Sequence, residues 1–379
     1  MGNLVQPMAR PLRVLMVTPR YFPFMGGVET HVYEVGRRLA AAGVDLCVLT
    51  TDPASELPAH EMVEGMHIWR VPAYPPKLDL YIAPAIVRVI DAEQWDVVHC
   101  QSYHTFVAPL AMAAALRHKV PYIVTFHSGG NSSALRNAVR QTQWRLLRPL
   151  FARAARLIGV SQFETAAFRD ALHLAPEQFV VIPNGGKLPA ISATTAQPHI
   201  GDDKLILAVG RLERYKGHQR VIAAMPTVLQ RFPLARLVIV GGGPYESALR
   251  QQIADLGLGE RVTVCAIPPS DRQAMADMVA SANLITLFSD YEAHPIAVME
   301  AIALGKPVLA TLTSGLQELA EKGWIQAIRL AATPDEAGAA IIAQLIAPRL
   351  PPQVTLPTWE DCADSLLRVY ETVVAARAA

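Results

Sequence analysis

The chain has 379 residues, of which 51% are hydrophobic and 18% charged, so it is long enough for two buried cores and too apolar to be disordered. Its formal net charge of +1 argues against general electrostatic binding to nucleic acid, so any anion site must be local. The four cysteines (Cys47, Cys100, Cys265 and Cys362) form no CxxC pair and have no metal-ligand spacing, which predicts reduced thiols in a cytoplasmic protein without a metal centre.

The N-terminal half predicts strands that alternate with helices. No apolar segment typical of a signal peptide precedes the first predicted strand, and the longest apolar run is too short to cross a bilayer, which needs about 20 residues. The alternation of predicted strands and helices in this half predicts a parallel α/β sheet. The predicted strands are residues 13–19, 45–51, 96–101, 121–127, 156–161 and 179–186, with a first helix at 30–42.

A second series of the same kind follows a stretch rich in Pro, Ala and Thr. We predict an α/β fold of two doubly wound, Rossmann-like domains, residues 1–185 and 202–355, joined by that stretch. In the last segment, 356–379, Thr358 suits the N-cap position of a helix. We predict that this helix packs back across the domain boundary. The strands predicted in the second series are residues 202–210, 235–243, 261–267, 282–288 and 306–311.

Two features follow strands of the first series, and ligands bind outside the carboxyl ends of such strands. Gly26-Gly27 would let the backbone approach a ligand and expose N–H groups to an anion, although the pair alone favours an ordinary turn. His127 ends a predicted strand, where its imidazole could bond to a substrate hydroxyl. A structural histidine with satisfied hydrogen bonds is an equally good interpretation.

Two further loops follow strands of the second series. The sequence "GRLERYKG" supplies Arg211 and Lys216, and a diphosphate needs at least two such cations, although solvated surface charges would give the same pattern. The sequence "VGGGP" places Gly242 and Gly243 before a predicted helix, whose free N–H groups favour an anion. Its spacing does not match a dinucleotide-binding fingerprint.

The stretch "YEAHPIAVMEAIALGKPV", residues 291–308, predicts a helix at 295–304. Pro295 suits the first helical position and Gly305 the position just past the end. The backbone N–H groups of Ile296 and Ala297 would then point toward the preceding loop, where the helix dipole favours a phosphate.

Two glutamates flank this apolar stretch. Glu292 lies just before the predicted helix, and we expect Glu300 to face outward from its second turn. An ionised carboxylate accepts two hydrogen bonds, which suits the vicinal diol of a sugar or a ribose. A helix-start acid and a solvated helix position are the plainer alternatives.

Taken in order, these motifs, with "VIPNGG" at 181–186 and the E-x7-E pair, resemble the retaining GT-B glycosyltransferases of family 4 over essentially the whole chain. The resemblance implies two Rossmann-like domains that face a central cleft. It implies transfer of a sugar from a UDP- or GDP-linked donor to an acceptor hydroxyl in polysaccharide or glycolipid synthesis, without a cofactor. A non-hydrolysing sugar-nucleotide epimerase and a non-catalytic nucleotide-sugar binder of the same fold are the alternatives.

The resemblance also implies residue roles: Arg211 and Lys216 at the donor diphosphate, Glu300 at the ribose, Glu292 at the transferred sugar, and His127 near its reactive side. The expected catalytic residues are thus Arg211, Lys216, Glu292 and His127. The expected donor-binding residues are Glu300, Gly26, Gly27, Gly242, Gly243, Pro295, Ile296 and Ala297. One departure from the family is His294, where an apolar residue is usual.

A basic stretch between residues 131 and 157 contains six arginines and no acid: Arg136, Arg140, Arg145, Arg148, Arg153 and Arg156. Apolar residues lie between them, and a basic amphipathic surface favours anionic lipid headgroups. This pattern predicts peripheral contact with the inner face of the membrane and a lipid-linked acceptor. A packed helix with solvated arginines is equally consistent.

Overall fold

The computed structural model of the protein describes residues 10–24, 26–75, 82–128, 134–186, 188–192, 203–268 and 271–378; the side chains of 134–141 and 378 lie outside this description. Its first part comprises β1 (Arg13–Val17), α1 (Gly27–Ala41), β2 (Asp45–Thr51), β3 (His60–Val63), β4 (Met66–Val71), α2 (Ala85–Ala92), β5 (Val97–Gln101), α3 (Val107–Arg117), β6 (Tyr122–Thr125), α4 (Ala134–Phe151), β7 (Arg156–Gly159), α5 (Gln162–Leu172) and β8 (Phe179–Val181).

The second part comprises β9 (Leu205–Val209), α6 (His218–Arg231), β10 (Arg236–Val240), α7 (Glu246–Asp255), β11 (Val262–Cys265), α8 (Arg272–Ser281), β12 (Leu284–Leu287), α9 (Ile296–Ala303), β13 (Val308–Thr311), α10 (Ser314–Glu321), β14 (Gln326–Ile328), α11 (Pro334–Ile346) and α12 (Trp359–Ala378). Short 3-10 turns at Pro176–Gln178 and Arg214–Lys216 complete the described elements.

The strands form two sheets with one architecture. The first sheet has the order β3-β4-β2-β1-β5-β6-β7-β8, and the second has the order β11-β10-β9-β12-β13-β14. All neighbouring pairs are parallel except β3 and β4. In each sheet the chain first winds outward in one direction and then returns to wind in the other, so two doubly wound, Rossmann-like units result, as predicted.

This winding creates a switch point in each sheet. β1 lies between β2 and β5, and β9 lies between β10 and β12. The loops after β1 and its neighbour β5, and after β9 and its neighbour β12, lead to helices on opposite faces of the sheet, which opens a crevice at the carboxyl edge. A ligand is therefore expected to bind at these two switch points.

Both sheets are covered on both faces by helices. Successive residues of β1 belong to different apolar cores, because side chains alternate along a strand: Leu15 and Val17 pack on one face, Val14 and Met16 on the other. β9 shows the same alternation between the two cores of the second sheet. Burial on both faces explains why these strands read as continuous apolar runs.

The last helix, α12, packs against the first sheet beside α1, which confirms the predicted return across the boundary. Its residues Trp359, Leu366 and Tyr370 are buried in the core that also contains Val14. Thr358 caps it: its hydroxyl accepts a hydrogen bond from the Asp361 N–H at 3.0 Å.

The chain crosses between the two units twice, and the crossings lie side by side. The Gly186 N–H donates to the Pro357 carbonyl at 3.2 Å. A Cβ atom on Gly185 would lie 2.4 Å from the backbone nitrogen of Trp359, so this position requires a glycine.

Several elements differ from the sequence prediction. The β3–β4 hairpin was not predicted, because β3 is an exposed edge strand without an apolar run; its turn residues Glu64 and Gly65 have φ of 49° and 81°. The three-residue β14 was too short to leave a pattern. Helix α9 begins at Ile296 rather than at Pro295, which is its N-cap, whereas Gly305 ends it as predicted with φ of 65°.

The apolar side of α4 faces the protein. Phe151 is fully buried, and Trp144, Leu147 and Leu150 pack against the same core. By contrast, Leu146 on the same helix is strongly exposed, at 74%. The side chains of Arg136 and Arg140 lie outside the described residues. Within the described part of the chain, no helix combines the length and apolar composition that crossing a bilayer requires.

Candidate functional site

A cleft of about 400 Å³ lies between the carboxyl edges of the two sheets, where the two switch points face each other. Eleven of the twelve predicted site residues line it: Gly26, Gly27, His127, Arg211, Lys216, Gly242, Glu292, Pro295, Ile296, Ala297 and Glu300. Gly243 does not line the cleft and packs against the backbone of Leu212 instead.

Lys216 and Glu292 form an ion pair in the cleft. The Lys216 Nζ lies 2.7 Å from Glu292 Oε1 and 3.0 Å from Oε2. Ser289 also donates its hydroxyl to Oε1 at 2.7 Å. Burial alone would lower the pKa of Lys216, but the adjacent Glu292 carboxylate, helped by Tyr215, raises it above its ordinary value. Lys216 therefore stays charged at neutral pH and offers a fixed cation beside a fixed carboxylate.

Arg211 reaches from the second sheet toward the glycine loop of the first. A Cβ atom on Gly26 would lie 3.6 Å from Arg211 Cδ and 2.3 Å from Glu29 Oε2, so a side chain at this position would displace the Glu29 carboxylate. The Arg211 guanidinium lies 3.2 Å from Glu213 and is one-third exposed, at 33%. It can therefore turn toward a ligand.

Sequence reasoning missed Glu29 at this place. Its carboxylate folds back over Gly26 at the start of α1 and is buried. Burial raises the pKa of Glu29, and its own backbone N–H, Arg211 and Arg20 act in the opposite direction. An acid two residues after a glycine pair was the available signal, and it looks the same as an ordinary first-turn acid.

Glu300 faces inward, which corrects the prediction that it faces outward. It is 3% exposed and forms an ion pair with Arg272 at the start of α8. Burial raises the pKa of Glu300, while the charge and hydrogen bond of Arg272 act to lower it. The helical pattern could not show this, because α9 is apolar on both sides and the position of its partner depends on the fold.

His127 follows β6 and has a φ of 45°, in the left-handed region that is rare for residues other than glycine. Its Nε2 lies 2.7 Å from Gln101 Oε1 at the end of β5. Burial, with added repulsion from His31, His99 and His104, holds the pKa of His127 well below its ordinary value. His127 is therefore a neutral group at physiological pH.

His294 lies between Glu292 and the start of α9 and also lines the cleft. Its Nδ1 is enclosed and has no hydrogen-bond partner among the described residues. Burial lowers the pKa of His294 to about 4, although the charge of Glu318 raises it in part. An imidazole at this position is the departure noted in the sequence.

The two units meet directly next to these residues. The Ser128 hydroxyl lies 2.9 Å from the Tyr291 hydroxyl. The Ser128 hydroxyl also donates a hydrogen bond to Glu164 Oε1 at 2.5 Å. Ser128 adjoins His127, and Tyr291 adjoins Glu292. This contact therefore sets the separation of two predicted site residues that belong to different sheets.

The site combines groups of two kinds. The cations Arg211 and Lys216 and the helix N-terminus at Ile296 offer positive charge and N–H donors, which suit a diphosphate. The carboxylates of Glu292 and Glu300 offer acceptors, which suit hydroxyl groups. No cluster of three or more His, Cys, Asp or Glu residues able to hold a metal ion occurs among the residues that the structure describes.

Two family models match the chain, one after the other. The Glycosyltransferase Family 4 model matches residues 25–186, and the Glycosyl transferases group 1 model matches residues 193–350. Together they span most of the chain, and they divide it between the two sheets.

Curated relatives match over similar lengths. D-inositol 3-phosphate glycosyltransferase of Nocardiopsis dassonvillei is 28% identical, with 100% of this chain and 98% of that protein covered. GDP-mannose:cellobiosyl-diphosphopolyprenol alpha-mannosyltransferase of Xanthomonas oryzae pv. oryzae is 29% identical, with 82% of each covered.

Solved structures share the fold. Sucrose-phosphate synthase from Thermosynechococcus elongatus has a TM-score of 0.71 at 22% identity, with 96% of this chain and 94% of that chain covered. HepE of Anabaena, crystallised with UDP-glucose, has a TM-score of 0.67 at 19% identity, with 97% of this chain and 99% of that chain covered.

Proposed function

The chain belongs to glycosyltransferase family 4, and we propose that it transfers a hexosyl group from a UDP- or GDP-linked donor to an acceptor hydroxyl with retention of the anomeric configuration. One observation carries the proposal: Arg211, Lys216, Glu292 and Glu300 line one cleft at the switch points of two sheets. The relatives are named as enzymes of sugar transfer, one with GDP-mannose in its name.

Each group has a place in this proposal. Arg211 and Lys216 bind the donor diphosphate, with the N–H groups at the start of α9. Glu300 accepts the ribose hydroxyls, and Glu292 accepts a hydroxyl of the transferred sugar while it holds Lys216 in position.

The step breaks the bond between the anomeric carbon and the β-phosphate oxygen and forms a bond from that carbon to the acceptor oxygen. The acceptor attacks from the face that the diphosphate leaves, and its proton passes to the departing diphosphate. Negative charge develops on the diphosphate, and the fixed cations stabilise it more in the transition state than in the ground state. Closure of the two units over the cleft excludes water.

A panel of UDP- and GDP-sugars, with release of the nucleoside diphosphate as the readout, tests the proposal and identifies the donor. We expect Arg211→Ala and Lys216→Ala each to lose about 99% of turnover, as is typical when a donor to developing charge is removed. Arg214→Ala is the matched control, because Arg214 is exposed in the same loop and does not line the cleft.

Full turnover in both cleft variants would refute the diphosphate role. The anomeric configuration of the product, measured by NMR, decides between retention and inversion. An epimerised nucleotide sugar in place of a glycoside would indicate epimerase activity, and binding without any product would indicate a non-catalytic binder.

For the acceptor we propose a lipid-linked molecule at an anionic membrane surface. Arg145 and Arg153 are exposed on and just after α4, and Leu146 is exposed between them. Arg148 is less available, since its guanidinium donates to the Leu172 carbonyl at 2.8 Å.

Vesicle flotation tests this proposal. We expect binding to vesicles with about one-third phosphatidylglycerol at low salt, and loss of that binding in the Arg145→Gln/Arg153→Gln variant, because each basic residue near an anionic surface contributes about 1 kcal/mol. Arg231→Gln and Arg261→Gln in the second unit serve as the control pair. Equal flotation of all variants would contradict a role for this surface.

A further inference from the structure

A chain of buried polar side chains leads from the cleft to the last helix. His127 Nε2 lies 2.7 Å from Gln101 Oε1, and the Gln101 amide nitrogen lies 3.3 Å from His99 Nδ1. That same Nδ1 lies 2.6 Å from the Tyr370 hydroxyl of α12, while His99 Nε2 lies 2.8 Å from the Thr125 hydroxyl. His99, Gln101 and Tyr370 are each 0% exposed.

The bond between Gln101 and His127 fixes the form of the imidazole. An amide oxygen only accepts hydrogen bonds, so the ring nitrogen that faces it must carry the proton. His127 is neutral, so its proton is on Nε2 and its Nδ1 keeps a lone pair. Within the described part of the chain this Nδ1 has no hydrogen-bond partner, and His127 is 9% exposed and lines the cleft.

The lone pair at Nδ1 makes this nitrogen a hydrogen-bond acceptor, which determines the ligand groups that can bind there. A neutral acceptor at the wall of the cleft attracts a hydroxyl donor and offers nothing to a phosphate oxygen, which is itself an acceptor. Both the ribose and the transferred sugar of a nucleotide sugar have hydroxyl groups that can donate hydrogen bonds. The proposed function places the transferred sugar, and not the ribose, near His127.

We propose that Gln101 is a positioning residue for the transfer reaction, which presents the Nδ1 lone pair of His127 to a hydroxyl of the transferred sugar, and that Tyr370 on α12 holds Gln101 in place through His99. This inference rests on the proposed function. It adds a role for α12: none of its described residues lines the cleft, yet Tyr370 is connected to His127 through His99 and Gln101.

The alternative role for these residues is core packing, and binding measurements separate the two. Calorimetry compares the nucleotide sugar that the donor panel identifies with its nucleoside diphosphate. In Gln101→Leu we expect about tenfold weaker binding of the nucleotide sugar, which corresponds to about one lost hydrogen bond, and unchanged binding of the nucleoside diphosphate. For Tyr370→Phe we expect the same selective loss, about threefold.

The matched controls are Gln178→Leu and Tyr122→Phe, which remove an amide and a buried hydroxyl that bond to backbone carbonyls in the same unit, away from the cleft. They should leave both affinities unchanged. Equal losses for the nucleotide sugar and the nucleoside diphosphate in Gln101→Leu, or wild-type affinity for both, would overturn the proposal.

Gln101→Glu gives a pH signature that packing alone would not produce. A carboxylate at this position still accepts the His127 Nε2–H but favours a second proton on the ring, and His31 from α1, His99 from β5 and His104 from the following loop also face it. We expect nucleotide-sugar affinity in this variant to rise with pH between about 6 and 8, over the range in which an imidazole titrates, while wild type stays flat. A flat profile in Gln101→Glu would count against the proposal.

The tautomer can be read without any ligand and without a variant at Gln101. In ¹⁵N-histidine-labelled wild-type protein, long-range proton–nitrogen correlation spectra should show His127 protonated at Nε2, with His127→Gln to assign the signal. Protonation at Nδ1 would overturn the inference even if transfer activity is found. Failure of wild type to bind any nucleotide sugar would refute the proposed function and leave this spectrum to decide the role of Gln101.

Discussion

Glu300 is a buried carboxyl group, so its ionisation depends on its counter-ion, Arg272. Transfer of a charge out of water costs several kcal/mol unless a counter-ion and hydrogen bonds offset it. Arg272 provides both from the start of α8, and it is itself 21% exposed at the cleft wall. The charge and hydrogen bond of Arg272 therefore oppose the rise that burial causes in the pKa of Glu300, and so favour the ionised form that accepts hydroxyl groups.

We predict that Glu300→Gln weakens nucleotide binding about tenfold, because an amide oxygen is a poorer acceptor than a carboxylate. Arg272→Gln should lower the free energy of unfolding by about 1–3 kcal/mol, because it leaves the buried Glu300 carboxyl group without its hydrogen-bond partner. The double variant should recover part of that loss. Calorimetry and urea unfolding measure these effects.

Arg117→Gln is the control, because the pair of Arg117 and Asp91 is exposed and its loss should change neither quantity. If Arg272→Gln were as stable as wild type, the interpretation of Glu300 as a buried carboxyl group that depends on Arg272 would be wrong.

At the scale of elements, the loops after β6 and β12 form the contact that brings the two sheets together. Ser128 donates its hydroxyl proton to the buried Glu164, so its oxygen is left to accept from Tyr291. Phe163 of α5 adds a second bond across the boundary, from its N–H to Glu318 of α10 at 3.3 Å. These loops also carry His127 and Glu292, so their contact sets the width of the cleft.

We predict that Tyr291→Phe lowers kcat/KM by about fivefold, which corresponds to one hydrogen bond, without a change in the affinity for nucleoside diphosphate. Steady-state kinetics and calorimetry make the comparison. Tyr245→Phe, in the same unit but outside the cleft lining, should be silent. Wild-type kcat/KM in Tyr291→Phe would show that closure does not depend on this bond.

The sequence was most informative for elements buried on both faces, since β1, β2, β5 and β9 appear as apolar runs followed by loops with unusual residues. Those loops also gave the cations and glycines of the site. The side chains that bond to the site residues were not predictable from the sequence. Gln101 and His127 are 26 positions apart, and Arg272 and Glu300 are 28 apart. Such pairs exist only because the fold brings distant parts of the chain together at the carboxyl edges of the sheets, and no local pattern encodes which side chains then meet.

At the scale of the whole molecule, buried histidines make stability depend on pH. Burial lowers the pKa of His31 to about 4 and of His99 to about 3, against about 6.5 in an unfolded chain. Below pH 6.5 the unfolded chain therefore binds more protons than the folded one, so the contribution of each histidine to stability is lost as the pH falls toward its folded pKa.

Buried glutamates act in the opposite direction. Burial raises the pKa of Glu29, Glu164 and Glu300, so the folded state binds more protons than the unfolded chain above about pH 4.5. The difference between wild type and a single histidine variant removes this common background.

We predict that His31→Gln changes the pH dependence of the free energy of unfolding by about 1.4 kcal/mol per pH unit between pH 6 and 4.5, in the direction that makes the variant less sensitive to acid. Urea unfolding at pH 7.5, 6.0 and 5.0 measures it. Parallel curves for the two proteins would mean that His31 titrates normally in the folded state.

The position of α12 determines the order in which this protein can be completed during synthesis. Trp359, Leu366 and Tyr370 cover one face of a sheet whose strands all precede residue 182. As the ribosome makes the chain, that face stays open to water while the entire second unit emerges, and it closes only when the last helix follows. A nascent chain therefore exposes an apolar surface of the kind that chaperones bind from the time β8 emerges until α12 emerges, and the side chains behind His127 settle only then.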